Sequence, residues 1–154
     1  MGTIISHEHL ARVDDFVRRA SKTASIITGG QRLTGLSDLD GFDFSKGAFY
    51  PPTILTDVNT EDDIWREEVF GPVVVIKRFM VNQFLFFSGP SLISTAMLAQ
   101  DEHEGVTLAN DSKYGLGAGI WTTDLSKAHR VAAQIESGLC WVNTHHRNDP
   151  SSPW

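Results

Sequence analysis

From His7 to Ala24 the apolar residues Leu10, Val13, Phe16, Val17, Ala20 and Ala24 recur at helical spacing, which predicts an amphipathic helix. Ser6 supplies an N-cap, and Glu8 puts a negative charge in the first turn, where the helix dipole favours it. The β-branched run Ile26-Ile27-Thr28 meets Gly29-Gly30 and predicts a short strand closed by a turn. Gln31 to Lys46 has little periodicity and reads as a surface loop. Phe49 to Thr56 predicts a strand that must lie on an edge or join the sheet only after Pro51-Pro52, because proline cannot donate to a ladder. Thr60 to Glu68 is acidic, with room for one or two helical turns. Val73-Val74-Val75-Ile76 is a continuous apolar run, which suits a strand buried on both faces.

The C-terminal half alternates in the same way. Asp101 to Asn110 predicts a helix, and Tyr114 to Gly119 predicts flexible backbone leading into a strand at Ile120-Trp121-Thr122. Asp124 caps an amphipathic helix carrying Leu125, Ala128, Val131, Ala132 and Ile135, with Gly138 at its stop. Leu139-Cys140-Trp141-Val142 predicts another buried strand. Strands alternating with helices imply an α/β fold with a mostly parallel sheet and flanking helices.

One segment breaks the pattern. Phe79 to Gln100 is a run of 22 residues without a formal charge, long enough in principle to span a membrane. Asn82, Gln83, Ser88, Ser91, Ser94 and Thr95 dilute it, and Gly89-Pro90 splits it, so no membrane span is expected.

Composition narrows the function classes. The 154 residues are 41% hydrophobic and 21% charged, which excludes wholesale disorder. A net charge of -6, from 13 basic and 19 acidic residues, argues against nucleic acid as a partner. Met1 to Glu8 has neither a basic n-region nor a long apolar stretch, so no secretory signal and a cytoplasmic location are expected. The Gly2 and Ser6 spacing fits a myristoylation pattern so loose that chance matches are common. Cys140 is the only cysteine, which excludes an internal disulfide. It lies inside a predicted strand with no local base or helix N-terminus to activate it, so it is not expected to be a nucleophile. His7/His9 and His145/His146 lack the carboxylate and i, i+4 partners of a metal site, and no metal is expected. Gly115-x-Gly117-x-Gly119 has the wrong spacing for a dinucleotide fingerprint and precedes a strand instead of following one.

Five blocks, taken together, resemble the aldehyde dehydrogenase superfamily. Glu67-Glu68-Val69-Phe70-Gly71-Pro72 looks like its E-E-x-F-G-P motif, and Met1-Gly2-Thr3-Ile4-Ile5-Ser6 resembles M-G-P-L-I-S. Gly47-Ala48-Phe49-Tyr50-Pro51-Pro52-Thr53-Ile54-Leu55 is similar to G-x-F-x-x-P-T-I-L. Ala109-Asn110-Asp111-Ser112-Lys113-Tyr114-Gly115-Leu116-Gly117-Ala118 is similar to A-N-D-S-x-Y-G-L-G-A, and Gly138-Leu139-Cys140-Trp141-Val142-Asn143 to G-x-x-W-V-N. Their order is the family's order. The link Ala20 to Ala24 departs from it by lacking the usual glycine.

The resemblance implies that residues 1–154 form a partial catalytic domain, the C-terminal part, truncated at both ends. Such enzymes oxidise an aldehyde to a carboxylate with NAD or NADP, using a Cys nucleophile, a general-base Glu, an oxyanion-stabilising Asn and a Rossmann-like domain. All four precede the stretch matched here, so no catalytic residue is expected in this chain. It is expected to be inactive alone and not to bind the dinucleotide alone. By resemblance Glu68 binds the nicotinamide-ribose hydroxyls and Phe70 packs beside the nicotinamide. Asn143 ends a strand at the active-site wall, and Trp154 lines the aldehyde tunnel. His145 to Asp149 falls in the substrate loop. An alternative is a non-catalytic protein that associates with full-length aldehyde dehydrogenase subunits.

Removing Val81 to Gln100 would restore the family's connection from strand to helix. Valine codons begin GT and one glutamine codon is CAG, the letters of intron borders. The anomalous insertion 81–100 is therefore read as an intron, either retained in the message or wrongly carried into the reading frame. A genuine insertion is the competing reading.

Overall fold

A computed structural model describes residues 2–78, 85–88, 95–98, 102–145, 147 and 151. The chain divides into two compact units, Met1–Val75 and Ile76–Trp154.

The first unit opens with α1 (His7–Ala20), capped as its sequence demands: the Ser6 hydroxyl accepts from the His9 amide at 3.1 Å. Leu10, Val13, Phe16, Val17 and Ala20 form its buried face. The chain then makes β1 (Ser25–Thr28), a 3₁₀ turn (Phe44–Lys46), β2 (Thr53–Thr56), α2 (Asp63–Arg66) and the start of β3 (Val73–Arg78). β1 and β2 are antiparallel, pairing Ser25 with Thr56 and Ile26 with Leu55 before a bulge. β2 begins only after Pro51-Pro52, as proline's missing N–H requires. The loop from Gln31 is tightened by a bridge between Leu36 and Asp43 and by edge-to-face contacts among Phe42, Phe44 and Phe49. Leu55, Val58, Ile64, Val69, Val73 and Val75 complete this unit's core.

Tyr50 is buried there at 2% exposure. Its hydroxyl lies beside the Asp14 carboxylate without reaching hydrogen-bond geometry, and burial followed by that negative charge pushes its ionisation well above the usual tyrosine range.

The second unit contains β4 (Leu85–Ser88), β5 (Thr95–Leu98), α3 (Glu102–Asn110), β6 (Gly117–Trp121), α4 (Leu125–Ala132) and β7 (Leu139–Val142). β4 runs antiparallel to both β5 and β6, whereas β6 and β7 are parallel, with Gly117 opposite Leu139 and Ile120 opposite Val142. The α/β class and the flanking helices are as expected, and the sheet is mixed in direction. The antiparallel pairs β4–β5 and β4–β6 come from the anomalous segment. Its residues 81–84, 89–94, 99 and 100 lie outside the described residues. Val106, Ala109, Ala118, Ile120, Ala128 and Val131 form this unit's core.

Four expectations change. α1 stops at Ala20, short of Ala24, with Ser21 as its C-cap. Burial alternates along β3, with Val73 and Val75 buried while Val74 and Ile76 are half open, and every residue of β7 is half open. β3 therefore has one covered face, not two, and β7 has neither face fully covered. α4 stops at Ala132, short of Ile135, because Asn110 brackets the bend that follows: its Nδ2 donates to the Gln134 carbonyl and its Oδ1 accepts from the Glu136 amide. Gly117 and Gly119 lie within β6 and not in a flexible lead-in. A β-carbon at Gly117 would fall 2.7 Å from the Trp141 ring, and one at Gly119 2.5 Å from the Trp121 ring, so these glycines make room for aromatic rings.

Candidate functional site

In the first unit the candidate residues Glu68 and Phe70 share one loop. α2 ends at Arg66, and Glu67 leaves it in an extended conformation. Val69 is fully buried between half-buried Glu68 and Phe70, whose side chain is 52% exposed. A buried valine thus anchors a segment flanked by a half-buried Glu68 and an exposed Phe70.

The backbone then turns sharply. Phe70 has φ 53, a left-handed conformation that costs a residue with a β-carbon on the order of 1–2 kcal/mol. Such a conformation persists only where the surroundings fix it. Here three contacts do so. His9 Nε2 lies 2.6 Å from the Phe70 carbonyl, and the Thr53 amide donates to the Pro72 carbonyl at 2.8 Å. Gly71 abuts Val13 so closely that a β-carbon would fall 2.7 Å from a valine methyl.

The sequence does not mark His9 as a loop partner, because 61 residues separate it from Phe70. The only local signal is its i, i+4 relation to Val13, which sets both on one face of α1.

In the second unit Asn143 follows β7 with φ 54, a conformation that asparagine tolerates better than most residues. Its Oδ1 accepts from the Thr122 amide at 2.9 Å, and its Nδ2 donates to the Thr122 carbonyl at 2.9 Å. Its own amide donates to the Ile120 carbonyl at 2.8 Å, so the residue extends the β6–β7 ladder past its end. Thr122 is a partner that the sequence does not signal.

His145 packs between Trp121 and Trp141, with ring centres 6.0 and 5.5 Å away, and the Trp141 indole donates to the Arg147 carbonyl at 2.9 Å. Trp154 lies outside the described residues, as do His146, Asn148 and Asp149.

Cys140 sits in β7 opposite Ala118, and burial raises its thiol above the usual range, disfavouring the thiolate. Among the described residues no cluster of three or more His, Cys, Asp or Glu could hold a metal, and no helix is long and apolar enough to cross a membrane. A cavity of about 240 Å³ beside α1 and α2 is lined by Phe16, Arg19, Ala20 and residues 61–64. Its arginine is engaged, ion-paired with Asp15 and Asp63 and lying over the Phe16 ring.

The sequence model of the aldehyde dehydrogenase family matches residues 1–83 and 89–154. Aminoaldehyde dehydrogenase 2, peroxisomal, of Pisum sativum is 36% identical over 155 residues, covering 100% of this chain and 25% of that protein. The crystal structure of HpcC from Thermus thermophilus superposes with a TM-score of 0.80 at 32% identity, over 100% of this chain and 26% of that one. Betaine aldehyde dehydrogenase from Staphylococcus aureus, solved in complex with NAD+, gives a TM-score of 0.75 at 33% identity, again over 100% and 26%. The chain spans about a quarter of the length of the curated relatives it matches.

Proposed function

Because the chain belongs to the aldehyde dehydrogenase family, we propose that it carries the nicotinamide-side loop and part of the aldehyde-side wall of an enzyme that oxidises aldehydes to carboxylates with NAD+ or NADP+. The observation that carries this reading is the Glu68–Phe70 loop, with its half-buried carboxylate and outward-facing ring on a backbone pinned from three sides. A carboxylate accepts from two vicinal hydroxyls, which suits Glu68 to the nicotinamide ribose. The Phe70 face suits a planar heterocycle. When bound, the dinucleotide supplies the hydride acceptor. Asn143 holds the end of β7 at the wall of the aldehyde site, and Trp154 lines the aldehyde's path.

The chain alone is proposed to be inactive and not to retain the dinucleotide. Its one cysteine is held in a strand with a raised thiol. The family's nucleophile, general base and Rossmann-like domain belong to the part of the longer relatives that this chain does not span. Purified chain mixed with NAD+ or NADP+ and a panel of aldehydes is expected to give no increase in reduced-nicotinamide absorbance. Turnover above background would defeat this reading.

A second reading has its own support. Every residue of β1, an outer strand, is exposed, including Ile26 and Ile27. Such an edge offers unpaired backbone groups to another chain. On this reading the protein associates with full-length aldehyde dehydrogenase subunits, and a pull-down that recovers none of them removes it. A cytoplasmic location is part of both readings, checked by cell fractionation.

A further inference from the structure

The geometry points to His9 as a positioning residue that sets the pose of Phe70 and Glu68 for the nicotinamide riboside. This inference rests on the reading of that loop given above.

A carbonyl oxygen only accepts, so the 2.6 Å contact to Phe70 requires a proton on His9 Nε2. Backbone bonds and the packing of Gly71 on Val13 act on the same turn. α1 delivers the donor along one row of its surface. Val13 sits under Gly71, and His9, one turn earlier, sits at the Phe70 carbonyl. The absence of a β-carbon at Gly71 lets the loop approach closely enough for the bond to form. Phe70 occupies a conformation that its β-carbon disfavours, and a carbonyl bond on that same residue acts directly on it. Removing the donor would release the turn towards extended backbone and change the pose of the ring.

The test uses the whole chain as wild type, His9→Gln, His9→Leu and Ser6→Ala. Glutamine keeps an N–H donor at similar reach, and leucine keeps bulk without a donor. Ser6→Ala weakens the same helix end but leaves the imidazole. The first readout is the intraresidue amide-to-Hα Overhauser effect of Phe70, which a positive φ makes strong. It is expected to persist in wild type, His9→Gln and Ser6→Ala, and to fall by about half in His9→Leu as extended conformers enter. An unchanged effect in His9→Leu would overturn the proposal, as would an equal loss in Ser6→Ala or a failure of His9→Gln to rescue.

The second readout is the shift of the Glu68 and Phe70 amides on adding millimolar nicotinamide mononucleotide, a concentration that registers contacts too weak for the chain alone to retain the dinucleotide. Wild type and His9→Gln are expected to respond, and His9→Leu to respond several-fold less. No response in wild type would discard the nicotinamide reading and the purpose assigned to His9. The Overhauser effect would still decide whether His9 holds the turn, so the two failures are distinguishable.

Discussion

Replacing Asn143 by alanine removes both arms of the amide bridge to Thr122 and leaves a left-handed residue without the side chain that tolerates it. A hydrogen bond of this kind contributes about 0.5–1.5 kcal/mol net, and two at an exposed position amount to about 1–2 kcal/mol. Alanine at φ 54 costs roughly 1 kcal/mol more than glycine, which adopts that conformation freely. Asn143→Gly should therefore destabilise by about 1–2 kcal/mol and Asn143→Ala by about 2–3 kcal/mol. With a urea dependence of about 1–3 kcal/mol per molar, the alanine midpoint should fall by roughly 1–2 M. Asn143→Asp keeps the acceptor for the Thr122 amide but faces the Thr122 carbonyl with a second oxygen, so it should rank with alanine or below. Urea unfolding is read by tryptophan fluorescence, since Trp121 and Trp141 lie in the two strands that Asn143 joins. An alanine variant as stable as wild type, or a glycine variant as costly as alanine, would refute the reasoning.

Three further outcomes are expected. Cys140 should react with a small alkylating reagent at pH 8 several-fold more slowly than free cysteine, since burial raises its thiol; equal rates would contradict that burial. Arg130 grips Glu102 with two bonds of 2.6 Å, joining α4 to the start of α3 and holding the Glu102 carboxyl below its usual range. Because this carboxyl's folded pKa lies below its unfolded one, its contribution is present above the unfolded value of about 4.5 and is lost as pH falls through the folded value. Glu102→Gln should accordingly lower the thermal midpoint at pH 7 and flatten its decline in acid, measured by circular dichroism between pH 3 and 7. For the segment 81–100, sequencing the cDNA is decisive: a spliced message is expected to omit Val81–Gln100, and one that retains it ends the intron reading.

The features legible in the sequence are those with local causes. Ser6 and Asp124 announce two helix starts because capping acts over three residues, and both caps form. The prolines at 51 and 52 announce where β2 can begin. What the sequence hides depends on distant parts of the chain. A run of valines looks the same whether one face or two is covered, so β3 and β7 are less buried than their composition suggests. The glycines at 117 and 119 suggest backbone freedom, whereas they serve by leaving space for Trp141 and Trp121. The end of α4 is set by Asn110, some 24 residues upstream of Gln134, which periodicity within the helix does not reveal. At the candidate site, Glu68 and Phe70 are legible through resemblance to a family motif. His9 is not, because a bond to a carbonyl depends on where the chain passes and not on which residue it passes with.

That last point bears on how such a loop can change over evolutionary time. The turn at Phe70 is held through its carbonyl, through the Pro72 carbonyl and through glycine packing, none of which involves the Phe70 ring. The scaffold is thus decoupled from the group it displays. Mutation can exchange the side chain at position 70 without rebuilding the turn, so selection can retune what the loop touches while its geometry is inherited unchanged.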